Sequence, residues 1–333
     1  MKVVVLTTSY PRDVSDVAGR FVADAVAGVR ELGVDVDVVS PATFQDFGVA
    51  YGDGIAQNLR AAPWKLALVP AFLATYARAA RNAARDADLV HAHWIPSALA
   101  AEAAGKPYVL QVWGTDVELA RRAPALVKPL VQRARVVVAA STYLAREARE
   151  LGARDVRVVP AGVEVPAGLD EPEEPPHALF AGRLSEEKGI LEFLEATDGL
   201  PRVIVGDGPL RARVPESVGF VAPSAIGGYY ERASVVCVPS RREGYGMAAR
   251  EAMAHGRPAV VTRVGGLADL EGDGVVFVEP GDAAGIRAAV ERLLADRSEQ
   301  RRRGAAAREA AGRHTPARSA AELRAVYEST LAT

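Results

Sequence analysis

Short, nearly continuous apolar runs rich in β-branched residues alternate along this chain with longer segments whose apolar positions recur at helical spacing. In the first half the runs are Val3–Leu6, Val34–Val39, Asp88–Ala92, Tyr108–Val112, Val136–Ala139 and Val156–Val159. Between the first two, residues 20–32 carry Phe21, Val22, Ala25, Val26 and Val29 on one stripe, the mark of a helix that buries one face. The second half repeats the scheme with Ala178–Phe180, Val203–Val205, Val218–Val221, Val235–Val238, Ala259–Val261 and Val275–Val278. Strands that are apolar on both faces and separated by helices predict parallel sheets covered on both sides. Two such sets predict an α/β protein of two Rossmann-like domains whose sheets face each other across a cleft. An acidic, proline-rich stretch ending at Pro176 lacks hydrophobic periodicity and reads as a linker over 169–176, between domains 1–168 and 177–315. Beyond these, Pro316 suits a helix's first turn, and Ala320, Leu323, Val326, Tyr327 and Leu331 predict a last amphipathic helix over 316–333.

Composition narrows the class. With 333 residues, 49% hydrophobic and 25% charged, the chain is long enough for two cores and is neither disordered nor fibrous. A net charge of −2 gives no overall electrostatic reason to bind nucleic acid. The single cysteine, Cys237, excludes an internal disulfide and a multi-cysteine zinc site, and within VVCVP it reads as a small buried hydrophobe. No signal peptide and no membrane-spanning run is visible, so a cytoplasmic location is expected. Segment 63–85, with Trp64, Phe72, Tyr76 and several arginines, reads either as a core helix pair broken at Pro70 or as a surface in peripheral contact with the inner face of a membrane.

Open parallel sheets bind ligands beyond the carboxyl ends of their strands. After Ala178–Phe180 comes GRLSEEKG, which places Arg183 and Lys188 on a glycine-flanked loop. An Arg fork and a Lys point charge suit a diphosphate, although ion pairs with Glu186 and Glu187 are an equal reading. After Val203–Val205 comes Gly206-Asp207-Gly208-Pro209, a tight turn and no dinucleotide fingerprint, because Arg211 stands where the third glycine would be. After Val235–Val238, PSRREGYGMAARE leads into a helix whose first turn is expected to include Gly244 and Gly246, with Glu243 before it and Glu251 within it. Bare amides at such a terminus cradle phosphate, and two carboxylates can accept hydrogen bonds from hydroxyls on either side. In the first half, His91 and His93 are read as pointing to opposite faces of their strand, which argues against a shared metal. His93, at that strand's carboxyl end, is the site candidate of the two.

The passages GRLSEEKG, VGDGPL, PSRREGYGMAAREAMAHGRPAV, RVGGLADL and VEPGD resemble the carboxyl-terminal half of retaining family-4 glycosyltransferases of the GT-B fold. SYPRDVSDVAGRFV, LVHAHW, GKPYVLQVWGTD and VVPAGV are similar to the amino-terminal half. The resemblance implies a retaining hexosyltransferase that needs no cofactor and uses a nucleoside-diphosphate sugar as donor, and the donor loops, with two cations, a helix terminus and no Asp-rich ligand set, point to metal independence. A small-molecule, glycan or lipid-linked acceptor would supply the attacking hydroxyl. Arg183 and Lys188 would hold the diphosphate, Glu251 the ribose and Glu243 the sugar hydroxyls. Gly208 would lie at the donor edge, and Gly244, Tyr245, Gly246 and Met247 would cradle sugar and phosphate. Gly19 would approach the phosphate from the first domain, and His93 and Asp116 would line the acceptor and sugar side. Many relatives have His where this chain has Trp113, so a His contact to the sugar is missing there. The resemblance also implies that the last helix crosses back onto the first domain beside the linker, which would let the domains close by a hinge. A GT-B epimerase or phosphorylase, and a nucleotide-sugar-binding protein without transfer activity, are the alternatives.

Overall fold

The computed structural model of the chain describes every residue except 14, 15, 53, 169, 170 and 333, and only the backbone at 118, 119 and 122. The chain forms two compact units, one of Met1–Ala161 with Pro316–Thr333 and one of Gly162–Thr315. The division thus falls ahead of the 169–176 segment, whose first two residues lie outside the described ones.

The first unit holds a six-stranded sheet of β1 (Lys2–Leu6), β2 (Asp35–Val39), β3 (Leu89–His93), β4 (Tyr108–Val112), β5 (Val136–Ala139) and β6 (Val156–Val158), in the order β2-β1-β3-β4-β5-β6. Every pairing in it is parallel. The helix Arg20–Glu31 buries Val22, Val26 and Val29. These side chains share one core cluster with Val3, Val5, Leu89 and Val109 of the sheet and with Ala320, Leu323, Val326 and Tyr327 of the helix Pro316–Leu331. The two helices meet at Gly28, where a Cβ would stand 2.8 Å from the Ala320 Cβ. The last helix is therefore part of the first unit's core.

The second unit holds five parallel strands, β7 (Ala178–Ala181), β8 (Arg202–Val205), β9 (Val235–Val238), β10 (Ala259–Thr262) and β11 (Val275–Val278), in the order β11-β10-β9-β7-β8. The expected sixth run, Val218–Val221, is not a strand. Gly219 takes a left-handed φ of 87° that breaks the extended chain, leaving one antiparallel bridge to Gly206 and an exposed Val218 and Phe220. Cys237 is buried on β9, and burial pushes its thiol up to about 12. The acidic segment is held by the helix Arg297–Ala311: Arg301 pairs with Glu171 at 3.2 Å, and Arg297 pairs with Glu174.

Both sheets reverse direction once, between β1 and β3 and between β7 and β9. The carboxyl ends of those strand pairs are the topological switch points at which open sheets bind ligands. Segment 63–85 is a 3-10 turn, Pro63–Leu68, followed by the helix Val69–Ala83, so the break comes just before Pro70. Phe72 and Tyr76 are buried whereas Trp64 and Leu66 are exposed.

Candidate functional site

At the second unit's switch point, the loop after β7 and the loop after β9 are drawn together by a glycine. Gly189 has a left-handed φ of 72°, and a Cβ there would stand 1.9 Å from the Pro239 carbonyl oxygen. No other residue fits without moving the backbone. This approach sets Lys188 Nζ 2.8 Å from Glu243 Oε2, which also accepts from Ser240 Oγ at 3.2 Å. Lys188 therefore pairs with Glu243 and not with its neighbours Glu186 and Glu187. An ammonium has three donors and a carboxylate about four acceptor sites, so each group keeps capacity toward a ligand. Arg183 lies exposed on the same loop. The Gly208 turn is tied to that loop, because Leu184 donates to the Asp207 carbonyl at 2.9 Å and Leu210 to the Leu184 carbonyl at 3.0 Å.

The helix after β9 begins at Met247, not at Gly244 as expected, and runs to Ala254. Gly246 caps it with a φ of 88°, a left-handed conformation that cannot continue a helix, so Gly244 and Tyr245 belong to the preceding loop. The free amides at this terminus are those of Met247, Ala248 and Ala249, since Arg250 N donates to the Gly246 carbonyl at 3.3 Å. The loop after β10 braces the glycines. Gly266 N donates to the Glu243 carbonyl at 3.0 Å, and a Cβ on Gly266 would meet the Gly244 oxygen at 2.3 Å. Arg250, buried, lies 4.0 Å over the Tyr245 ring and completes the brace. Glu251 is half-buried and accepts from the buried Tyr230 hydroxyl at 2.7 Å through Oε2. Burial raises its carboxyl above the ordinary range, and the Tyr230 hydrogen bond opposes that shift. Arg250 and Tyr230 were missed by sequence reasoning. Arg250 looks like any helix arginine, and Tyr230 sits on another helix with no motif of its own.

The first unit's switch point is of another chemical character. Gly19 caps the helix Arg20–Glu31 with φ 69°, and a Cβ on it would meet the Ser9 oxygen at 2.1 Å. Phe21 follows, its ring 4.2 Å from Trp113 and 5.7 Å from Trp94. Trp94 holds a positive φ of 62° at the start of the helix Ile95–Ala104, a strained setting for a bulky residue. It is the other residue that sequence reasoning passed over, although its place directly after β3 was a signal. His91 and His93 do not point to opposite faces. Alternation along a strand puts residues two apart on the same face, and their rings lie 4.2 Å apart. His91 Nδ1 is 2.7 Å from the Tyr327 hydroxyl, and burial pushes His91 down to about 3. His93 Nδ1 accepts from the Trp113 indole N–H at 3.2 Å. Asp116 is buried, and its carboxylate accepts from the amides of Trp113, Gly114 and Ile95 at 3.2, 3.0 and 3.2 Å. It clasps the turns after β3 and β4. Among the described residues no group of three or more His, Cys, Asp or Glu is arranged to hold a metal ion. Among them, too, no helix is long and apolar enough to cross a membrane.

Residues 18–165 match Glycosyltransferase Family 4 and residues 164–310 match Glycosyl transferases group 1. A putative teichuronic acid biosynthesis glycosyltransferase, TuaC of Bacillus subtilis, is 29% identical over 88% of this chain and 89% of its own length. The fold is that of a sucrose-phosphate synthase from Thermosynechococcus elongatus, with TM-score 0.83 at 20% identity over 99% of both chains. Anabaena HepE, solved in complex with UDP-glucose, superposes with TM-score 0.74 at 16% identity over 99% of this chain and 100% of its own. The chain belongs to the group 1, family 4-like glycosyltransferases, enzymes that transfer sugars, and has their two-domain α/β GT-B fold.

Proposed function

We propose that the protein is a retaining transferase that moves a hexose from a nucleoside-diphosphate sugar to an acceptor hydroxyl, without a metal. The observation that carries this reading is the Lys188–Glu243 pair at the β7/β9 switch point, beside the amides that begin at Met247. Lys188, Arg183 and those amides offer positive charge and donors to a diphosphate. Glu243 keeps Oε1 for a sugar hydroxyl, and Glu251, with Oε2 taken by Tyr230, keeps Oε1 for a ribose hydroxyl. The binding of UDP-glucose by HepE supports a nucleotide-sugar donor. The acceptor attacks the face from which the diphosphate leaves, and the leaving phosphate takes the acceptor proton. The protein then acts by positioning and by stabilising charge. Two cations and a helix terminus neutralise the leaving group, so EDTA leaves the rate unchanged.

The test is to incubate the enzyme with UDP-, GDP- and ADP-sugars and glycan or lipid-linked acceptors, and to read the anomeric configuration of the product by NMR. A product of inverted configuration, or an absolute requirement for Mg²⁺ or Mn²⁺, would overturn the reading. A peripheral membrane contact is supported by Trp64 and Leu66, both exposed beside Lys65 on one 3-10 turn. Co-sedimentation with anionic vesicles that is unchanged in Trp64→Ala would exclude it.

A further inference from the structure

At the first unit's switch point two histidines share a face, yet their second partners differ. His91 is engaged by Tyr327, whereas His93 is engaged by an indole, which can only donate. The His93 and Trp113 ring planes lie 12° from parallel with centroids 6.0 Å apart, and the indole Nε1 donates to His93 Nδ1 at 3.2 Å. Trp113 is itself fixed. Its amide and that of Gly114 bond the buried Asp116, and its ring packs on Phe21.

We propose that Trp113 is a positioning residue for His93: its indole N–H holds the imidazole as the neutral Nε2–H tautomer, so that His93 meets substrate as a hydrogen-bond donor to an oxygen and not as a base. A neutral imidazole carries one N–H, and Nδ1 is occupied as an acceptor, so the proton resides on Nε2. Burial and the adjacent His91 hold His93 well below its ordinary range, which keeps it neutral. Protonation of Nδ1 would also set two donors against each other across 3.2 Å. His93 Nε2 has no hydrogen-bond partner among the described residues, and because the residue is only 1% exposed, only an oxygen seated directly at the carboxyl end of β3 can reach it. A histidine at position 113 could donate or accept and would leave the tautomer open. The group that meets His93 is thus an oxygen with a free lone pair, on a sugar hydroxyl or a phosphate.

This inference rests on the transferase reading for its substrate, but not for the tautomer, so the two can fail separately. Side-chain ¹⁵N NMR of histidine-labelled protein, with His93 assigned by its loss in His93→Gln, is expected to show a protonated Nε2 and a bare Nδ1. Trp113→Phe keeps a ring but removes the donor, so His93 should become a mixture of tautomers. In that variant kcat should fall about five-fold, the worth of one neutral hydrogen bond, with the donor KM unchanged. Unchanged hydrogen-exchange protection of the β3 and β4 amides in Trp113→Phe reports that its first unit is folded. His93→Gln, which retains an amide donor, should keep more turnover than His93→Leu. A protonated Nδ1 or mixed tautomers in the unaltered protein, or equal losses in Gln and Leu, would overturn the proposal. Absence of transfer from every nucleotide sugar would instead sink the transferase reading and leave the NMR result to decide the tautomer.

Discussion

The two switch points differ in chemical character. The second unit's edge is charged, and it is assembled by close backbone contacts that only glycine permits at Gly189 and Gly266 and by a left-handed turn at Gly246. The first unit's edge is mainly aromatic, with buried imidazoles, two indoles and a single carboxylate already committed to three amides. A diphosphate calls for the former, because charge-assisted hydrogen bonds carry most energy where donors are already arranged. An uncharged hydroxyl calls for the latter, where direction counts for more than charge. Perturbing one edge should therefore leave the other's ligand largely unaffected.

The sharpest break in that comparison is removal of the helix Pro316–Leu331. Leu323, Val326 and Tyr327 each fill the first unit's core, and loss of one such side chain alone costs about 2–5 kcal/mol. Deletion of 316–333 should unfold the first unit and abolish transfer, while the second unit still binds nucleotide. Hydrogen exchange showing first-unit protection intact would contradict this. Next in size, Arg183→Ala and Lys188→Ala should each weaken nucleotide-sugar binding by about 1.5–3 kcal/mol by calorimetry, the worth of a charged hydrogen bond.

A comparable effect is confined to the first unit and depends on pH. His91 is held down to about 3, so the unfolded chain takes up a proton that the folded one refuses. This contribution to stability is complete above the unfolded value of about 6.5 and is lost as pH falls toward 3; at pH 5 the loss is about 2 kcal/mol. Hydrogen exchange of the β3 amides should register it, and His91→Gln should lessen the slope, leaving the part that His93 contributes. Smallest is Tyr230→Phe, which removes one hydrogen bond from Glu251 and should cost about 1 kcal/mol in affinity for free nucleotide.

What the amino-acid pattern could reveal follows the same division. Strands buried on both faces announce themselves, and eleven of the twelve expected runs form the two sheets. The exception, Val218–Val221, is apolar enough but is interrupted by a left-handed glycine, and nothing in hydropathy encodes a φ angle. The motif residues at the second edge were legible as types, but their pairing was not. Lys188 lies beside acidic neighbours in sequence, yet it meets Glu243 because of a contact between Gly189 and Pro239. The error over His91 and His93 was one of strand geometry, since the two-residue period that separates neighbours unites alternates. Tyr230 comes from a distant helix and carries no local mark, and Tyr327 was legible as a core position of the last helix but not as a partner of His91.

The central claim is that the second unit's edge divides a nucleotide sugar between Glu251, on ribose, and Glu243, on the hexose. Calorimetric titration of free nucleoside diphosphate and of nucleotide sugar against Glu243→Ala and Glu251→Ala tests it directly. Glu251→Ala should weaken both ligands, and Glu243→Ala should weaken the nucleotide sugar while sparing the free nucleotide. Equal losses for both ligands in both variants, or the reverse assignment, would contradict it.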